Sequence, residues 1–210
     1  MHATTTTPQT PTTPKKPRNL SWRVVDIVVA SVIGVASGLI FFVWNTAYVP
    51  LSAPLEPLLP GLQALLGGGW LFAGVLGGLI IRKPGAALYT ELLAAVVSTL
   101  IGNQWGPLTL VSGLVQGLGA ELVFAIFLYA NYRIYVAVLA GAGAGLALAI
   151  NDLLLWYPGS AAAFASIYTV SAVISGAVLA GLLSWLAMRG IAKTGALGRF
   201  AAGREIRADV

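Results

Sequence analysis

Residues Ile101 to Glu121 read IGNQWGPLTLVSGLVQGLGAE, a polar interruption between two apolar runs. Asn103, Gln104, Trp105, Gln116 and Glu121 fall within about six helical turns of one another. Amides and carboxylates at membrane depth are costly to desolvate, so they face a partner, a cavity or a ligand. The stretch is therefore expected to line a binding pocket that opens to the outside.

The chain around it has 210 residues, 58% of them hydrophobic and only 9% charged. A soluble domain carries roughly a quarter charged residues, so this is the composition of an all-α, multi-pass protein of the cell membrane. No cysteine is present, and the single histidine, His2, lies in the N-terminal tail. Thiolate chemistry and histidine-based catalysis in the membrane are thereby excluded, and no metal site or cofactor is expected. The net charge of +5 does not indicate nucleic acid, because the basic residues sit at segment ends and not on one folded face.

Six helices are predicted, over about Ser21–Tyr48, Leu62–Ile81, Ala86–Ile101, Leu108–Ala130, Tyr132–Tyr157 and Ala161–Gly190. Three parts follow: a Thr/Pro-rich tail over 1–20 expected to be disordered, a six-helix membrane domain over 21–190, and a basic tail over 191–210. All twelve Lys and Arg residues fall before or at the start of helix one, at the second-to-third and fourth-to-fifth connections, or at the end of helix six and beyond. Six spans put every one on the same side, so both termini are expected in the cytoplasm. The first outer connection holds Pro50, Pro54, Pro57 and Pro60, and reads as a stiff spacer or as a lid over a pocket mouth.

Small residues recur four apart, as in Ala30, Gly34 and Gly38 of helix one. Such a stripe lets helices approach closely in lipid, either within the bundle or against another membrane protein. Four acids lie within the predicted spans: Asp26, Glu91, Glu121 and Asp152. Asp26, near Arg23, reads as an interfacial cap or pair. Glu91 and Glu121 lie at a similar depth, roughly 10–15 Å from the cytoplasmic face. They either approach each other to share a proton or bind a cation, or else lock the bundle through hydrogen bonds.

The outer ends of helices three and five share a pattern. IGNQWGP ends at Pro107 and INDLLLWYP ends at Pro158, each bringing amides and a tryptophan to the outer surface. Trp22, Trp70 and Trp185 fit an interfacial aromatic belt. That belt does not account for Asn103, Gln104, Asn151 and Asp152 beside Trp105 and Trp156. Aromatic walls with amides and a carboxylate suit a flat, cationic or protonatable heteroaromatic ligand, with Gln116 as a floor. No hydrolase, zinc-protease, nucleotide or dinucleotide motif stands in suitable context, so the chain is not expected to be an enzyme. A proton-coupled transporter using Glu91 and Glu121, or a non-catalytic assembly protein, remain open on these residues alone.

The segment GNQWGPLTLVSGLVQGLGAELVF (Gly102 to Phe124), preceded by Glu91 and followed by INDLLLWYPG, resembles the YkoE family. These are substrate-binding S-components of energy-coupling-factor (ECF) vitamin transporters. The resemblance implies a six-helix subunit that captures thiamine, or its hydroxymethylpyrimidine precursor, from outside. It would work with a transmembrane coupling subunit and two ATPases supplied by other chains. It implies substrate binding at Glu91, Asn103, Gln104, Trp105, Gln116, Glu121, Asn151, Asp152 and Trp156. It also implies a coupling-subunit interface at Ala30, Gly34 and Gly38.

Overall fold

The structure is a computed structural model that describes residues 19–208. Of the tail expected to be disordered, residues 1–18 lie outside the described residues. Every regular element described is helical: α1 (Val24–Ser52), α2 (Leu62–Ile81), α3 (Ala86–Ile101), α4 (Leu108–Ile126), α5 (Ile134–Leu155), α6 (Ala162–Lys193) and α7 (Ala201–Ala208). Five of these are long and apolar enough to cross a membrane, and α3 is a shorter apolar helix.

The bundle is built around α2. Its inner half, FAGVLGGLII, is apolar on every side, the pattern of a helix with no outward face. All but two of those ten residues are buried, and α1, α3, α4, α5 and α6 all pack against the helix. Successive pairs α1–α3, α3–α4, α4–α5 and α5–α6 form an arc around it. A helix can be surrounded this way only if its surface is small. A Cβ on Gly77 would lie 2.1 Å from the Thr90 hydroxyl, and one on Gly78 would lie 2.4 Å from the Phe124 ring.

The same logic corrects one expectation. Ala30 is fully buried, a Cβ on Gly34 would meet Leu93 at 3.0 Å, and one on Gly38 would meet Val97 at 2.6 Å. Gly34 and Gly38 thus seat α1 on α3, and all three residues of the stripe are buried within the bundle. The opposite face of α1 carries Val28, Val32, Val35 and Leu39, all exposed.

Two helices that read as continuous in the sequence are irregular. α2 opens with 3-10 turns over Leu62–Trp70, breaks at Leu71 and resumes as an α-helix at Phe72. There the Gly68 N–H donates to the Ser175 hydroxyl at 2.8 Å, and that hydroxyl donates to the Leu65 carbonyl at 2.5 Å. α6 widens into π turns over Gly176–Leu182. These face α5 backbone to backbone, so that a Cβ on Gly141 would lie 2.1 Å from the Gly176 carbonyl oxygen. α1 in turn runs four residues past its expected end, through Pro50 to Ser52. A proline so near a helix C-terminus removes one backbone bond and leaves the rest of the helix intact.

The end where α1 begins is held by charge. Asp26 accepts from the Arg23 backbone N–H at 2.8 Å, and pairs with Arg23 Nη2 and Lys83 Nζ, each at 2.7 Å. Beyond α6 the chain folds back, burying Leu197, Phe200 and Ala202, and Glu205 of α7 pairs with Arg82 at 2.6 Å. The basic C-terminal segment is therefore docked on the bundle.

Gly141→Ala should lower the thermal unfolding midpoint of the purified protein, because overpacking at a backbone contact costs about 1–3 kcal/mol. Gly190→Ala, where nothing lies within 4 Å of the added carbon, should leave the midpoint unchanged or raise it. Equal midpoints for the two variants would contradict the close α5–α6 contact.

Candidate functional site

A cavity of about 250 Å³ lies in the half of the bundle away from Asp26, between α2 and the helices around it. Its position follows from the break in α2. A helix that restarts at Phe72 has first-turn N–H groups with no intrahelical acceptor, and these need partners inside the membrane. The Gly74 N–H finds one in Glu91 Oε2, at 2.6 Å. Glu91 is 1% exposed and lines the inner part of the cavity, and its Oε1 has no hydrogen-bond partner among the described residues. One carboxylate oxygen is fixed and the other is left over.

Glu121 shows the contrast. Its Oε1 accepts from the Gly85 N–H at 2.6 Å and the Tyr129 hydroxyl at 2.8 Å. Its Oε2 accepts from the Ala87 and Leu88 N–H groups at 2.9 and 3.3 Å. It therefore caps the N-terminus of α3 from a neighbouring helix, where a negative charge is also favoured by the helix dipole. Both oxygens are engaged, and Glu121 is not part of the cavity wall. Glu91 and Glu121 bond to different elements, so the alternative that the two carboxyls share a proton is not what this arrangement provides.

The mouth of the cavity is aromatic. Tyr48, Trp70 and Trp105 pack mutually, with ring centroids 4.9 Å apart for Tyr48–Trp70 and 5.2 Å for Trp70–Trp105. The Trp70 indole N–H donates to Asn45 Oδ1 at 2.7 Å, and Asn45 Nδ2 donates to the Ser98 hydroxyl at 3.0 Å. Opposite them, Asp152 accepts from the Tyr168 hydroxyl at 2.7 Å and from Asn151 Nδ2 at 3.0 Å. Tyr157 stands beside Tyr168, with ring centroids 5.3 Å apart. Gln116 lines the wall with no protein partner for its amide among the described residues.

Five of the nine expected binding residues line the cavity: Glu91, Trp105, Gln116, Asp152 and Trp156. Three stand one layer behind. Asn103 accepts from the Trp105 N–H at 2.9 Å and the Thr109 hydroxyl at 3.0 Å, which fixes the loop carrying Trp105. Gln104 reaches the Asn45 carbonyl at 3.5 Å, and Asn151 bridges Asp152 and the Ser112 hydroxyl. Glu121 is remote, as described. The sequence reading missed Asn45, Tyr48, Gln63 and Tyr168, and placed Trp70 in the interfacial belt. A polar side chain next to an aromatic inside an apolar run, Trp44-Asn45, was the available signal for the first. Among the described residues no three His, Cys, Asp or Glu side chains gather as a metal site would need.

The chain is similar to known proteins in sequence and in fold. Residues 25–147, more than half the chain, match the family model of the permease component of an ABC-type cobalt transport system. A Bacillus subtilis (strain 168) protein, YkoE, provisionally named an HMP/thiamine permease, is 37% identical over 188 residues, covering 89% of this chain and 93% of that one. The crystal structure of an S-component of an ECF transporter superposes with a TM-score of 0.84 at 37% identity, covering 90% of this chain and 95% of that one. The chain therefore belongs to this family of permease components and to the YkoE group of ECF-transporter S-components, which are substrate-binding, multi-pass proteins of the cell membrane and not enzymes.

Proposed function

We propose that the cavity captures thiamine from outside the cell and that the subunit delivers it to a transmembrane coupling subunit driven by two ATPases. The observation that carries this reading is the free Oε1 of Glu91, an acceptor held at the inner end of an aromatic cavity. A buried carboxylate with one open oxygen invites a cationic or N–H-donating ligand. The amino group of an aminopyrimidine donates to Glu91, and Gln116 supplies a second hydrogen-bonding edge. Tyr48, Trp70, Trp105 and Trp156 enclose the thiazolium, whose permanent charge is attracted to aromatic faces. Asp152, across the cavity, adds a second negative group. The hydroxymethylpyrimidine precursor satisfies Glu91 but has no permanent cation for these walls, so thiamine is favoured. The name of the B. subtilis relative agrees with either ligand.

The orientation belongs to the same proposal. Six helices, α1 to α6, cross the membrane with both termini in the cytoplasm, and the segments outside residues 21–190 lie on that side. Arg23, Arg82, Lys83 and Arg133 flank the helix ends nearest Asp26, and the cavity lies at the other end, where the connections hold no Lys or Arg. The cavity therefore faces outward.

Purified protein should bind thiamine at micromolar concentration or tighter in an equilibrium assay, and more tightly than hydroxymethylpyrimidine. Failure to bind thiamine while another vitamin binds would overturn the substrate. Glu91→Gln should weaken thiamine binding roughly tenfold or more, since a hydrogen bond to a charged group contributes about 1.5–3 kcal/mol. Glu121→Ala should instead lower the unfolding midpoint and leave the affinity of the folded fraction within about twofold, because its contacts are to backbone and Tyr129. Proteoliposomes holding this chain alone should show no concentrative uptake until the coupling subunit, ATPases and ATP are added. Proton-driven uptake by the chain alone would favour a self-contained transporter.

A further inference from the structure

A second cavity, about 350 Å³, lies at the opposite end of the molecule, under the returning C-terminal segment. Four cations line it, Arg23, Arg82, Lys83 and Arg204, with Ile81 and Phe200 among the apolar groups at its edge, and no carboxylate is part of the lining. The acids nearby are accounted for. Asp26, fully buried, pairs with Arg23 and Lys83, and Glu205, largely exposed, pairs with Arg82. Glu121 touches this region through Tyr129 and is occupied by backbone N–H groups. Arg204 is in no ion pair among the described residues, and its Nη1 donates only to the Arg199 carbonyl, at 3.0 Å. Four positive charges thus surround one concavity against two paired carboxylates and one already capped.

The cations are also positioned. The Arg82 guanidinium lies 4.7 Å over the Tyr132 ring and that of Arg23 lies 5.9 Å over Phe200. The side chains of Arg82 and Lys83 are only 12% and 10% exposed. Lysine and arginine are rarely this buried, and a cleft of one sign with low-dielectric walls concentrates anions. Guanidinium forks match the oxygens of a phosphate in particular.

We propose that this cavity binds a phosphate-bearing anion. In the orientation proposed above it opens at the cytoplasmic face, so the phosphate comes either from the headgroup of an anionic phospholipid or from a soluble phosphate. The site is separate from the vitamin cavity and is built from residues that have no part in it.

Native mass spectrometry of the full chain, exchanged into mixed phosphatidylglycerol and phosphatidylcholine, distinguishes the sources when paired with inorganic phosphate titrations followed by thermal unfolding. A lipid site retains phosphatidylglycerol over phosphatidylcholine, and high salt removes the preference. A soluble-phosphate site shows no lipid preference but a rise in unfolding midpoint with inorganic phosphate that chloride at equal ionic strength does not reproduce. Arg204→Gln, which breaks no ion pair, should reduce whichever response is seen about fivefold per cation removed, with thiamine affinity unchanged. Neither a lipid preference nor a phosphate-specific shift in the wild-type protein would overturn the proposal. A wild-type response that Arg204→Gln leaves undiminished would also overturn it.

Discussion

The hydrogen bond from the Gly74 N–H to Glu91 joins two features that a membrane makes costly, a broken helix and a buried carboxylate. Each resolves the other. Without the break at Leu71, the Gly74 N–H would be spent within α2, and Glu91 would lose the one donor it has among the described residues, at 2.6 Å. Without Glu91, the first turn of the resumed helix would leave a donor unmet in a region with little water. Because one N–H answers one oxygen, the second oxygen remains for the cavity. The open acceptor in the cavity wall is thus a by-product of how the central helix is allowed to be irregular.

That irregularity depends on packing at small residues. α2 is encircled by five helices, and its glycines admit Thr90 and Phe124 to distances that any side chain would block. The 3-10 turns before the break are held from α6 by Ser175, immediately before the π turns begin. The Gly141–Gly176 contact then fixes those π turns against α5. Gly67 and Trp70 of the 3-10 turns, Leu148 of α5 and Tyr168 of α6 all reach the cavity wall. Tight helix contact in one place therefore leaves open volume in another, between elements that cannot follow the ideal helical path.

Composition and charge distribution in the sequence were enough to find the helices, because apolar runs and the position of Lys and Arg act over whole segments. The bounds expected for α3, about Ala86 to Ile101, agree with the helix, which glycine brackets at Gly85 and Gly102. The breaks in α2 and α6 were not legible, because Gly67–Gly69 and Gly176–Gly181 read equally well as small-residue packing. The site was partly legible for a related reason. Trp105, Asp152 and Trp156 stood out where polar and aromatic residues meet a helix end, and they line the cavity. Glu91 and Glu121 looked alike, and only the direction of each side chain separates them. Helix rotation also decided Ala30, Gly34 and Gly38, a stripe whose spacing was clear and whose facing was not.

The four acids of the membrane helices differ less in chemistry than in how many donors meet them. Asp26 has two cations and a backbone N–H, and it fixes α1 to the loop before α3. Glu121 has three N–H groups and a tyrosine, and it caps α3. Asp152 has one tyrosine and one amide, and it lines the cavity. Glu91 has one N–H and lines it too. Neither acid that reaches the cavity is paired with a Lys or Arg among the described residues, and Arg23, Arg82, Lys83 and Arg204 gather at the far end with Asp26. Had a lysine stood near Glu91, an internal ion pair would compete with any cationic ligand for the same oxygen. Sorting the basic residues to one end therefore has a consequence within the membrane helices. It keeps the acids of the cavity wall free of internal ion pairs, with Glu91 Oε1 left open at the other end.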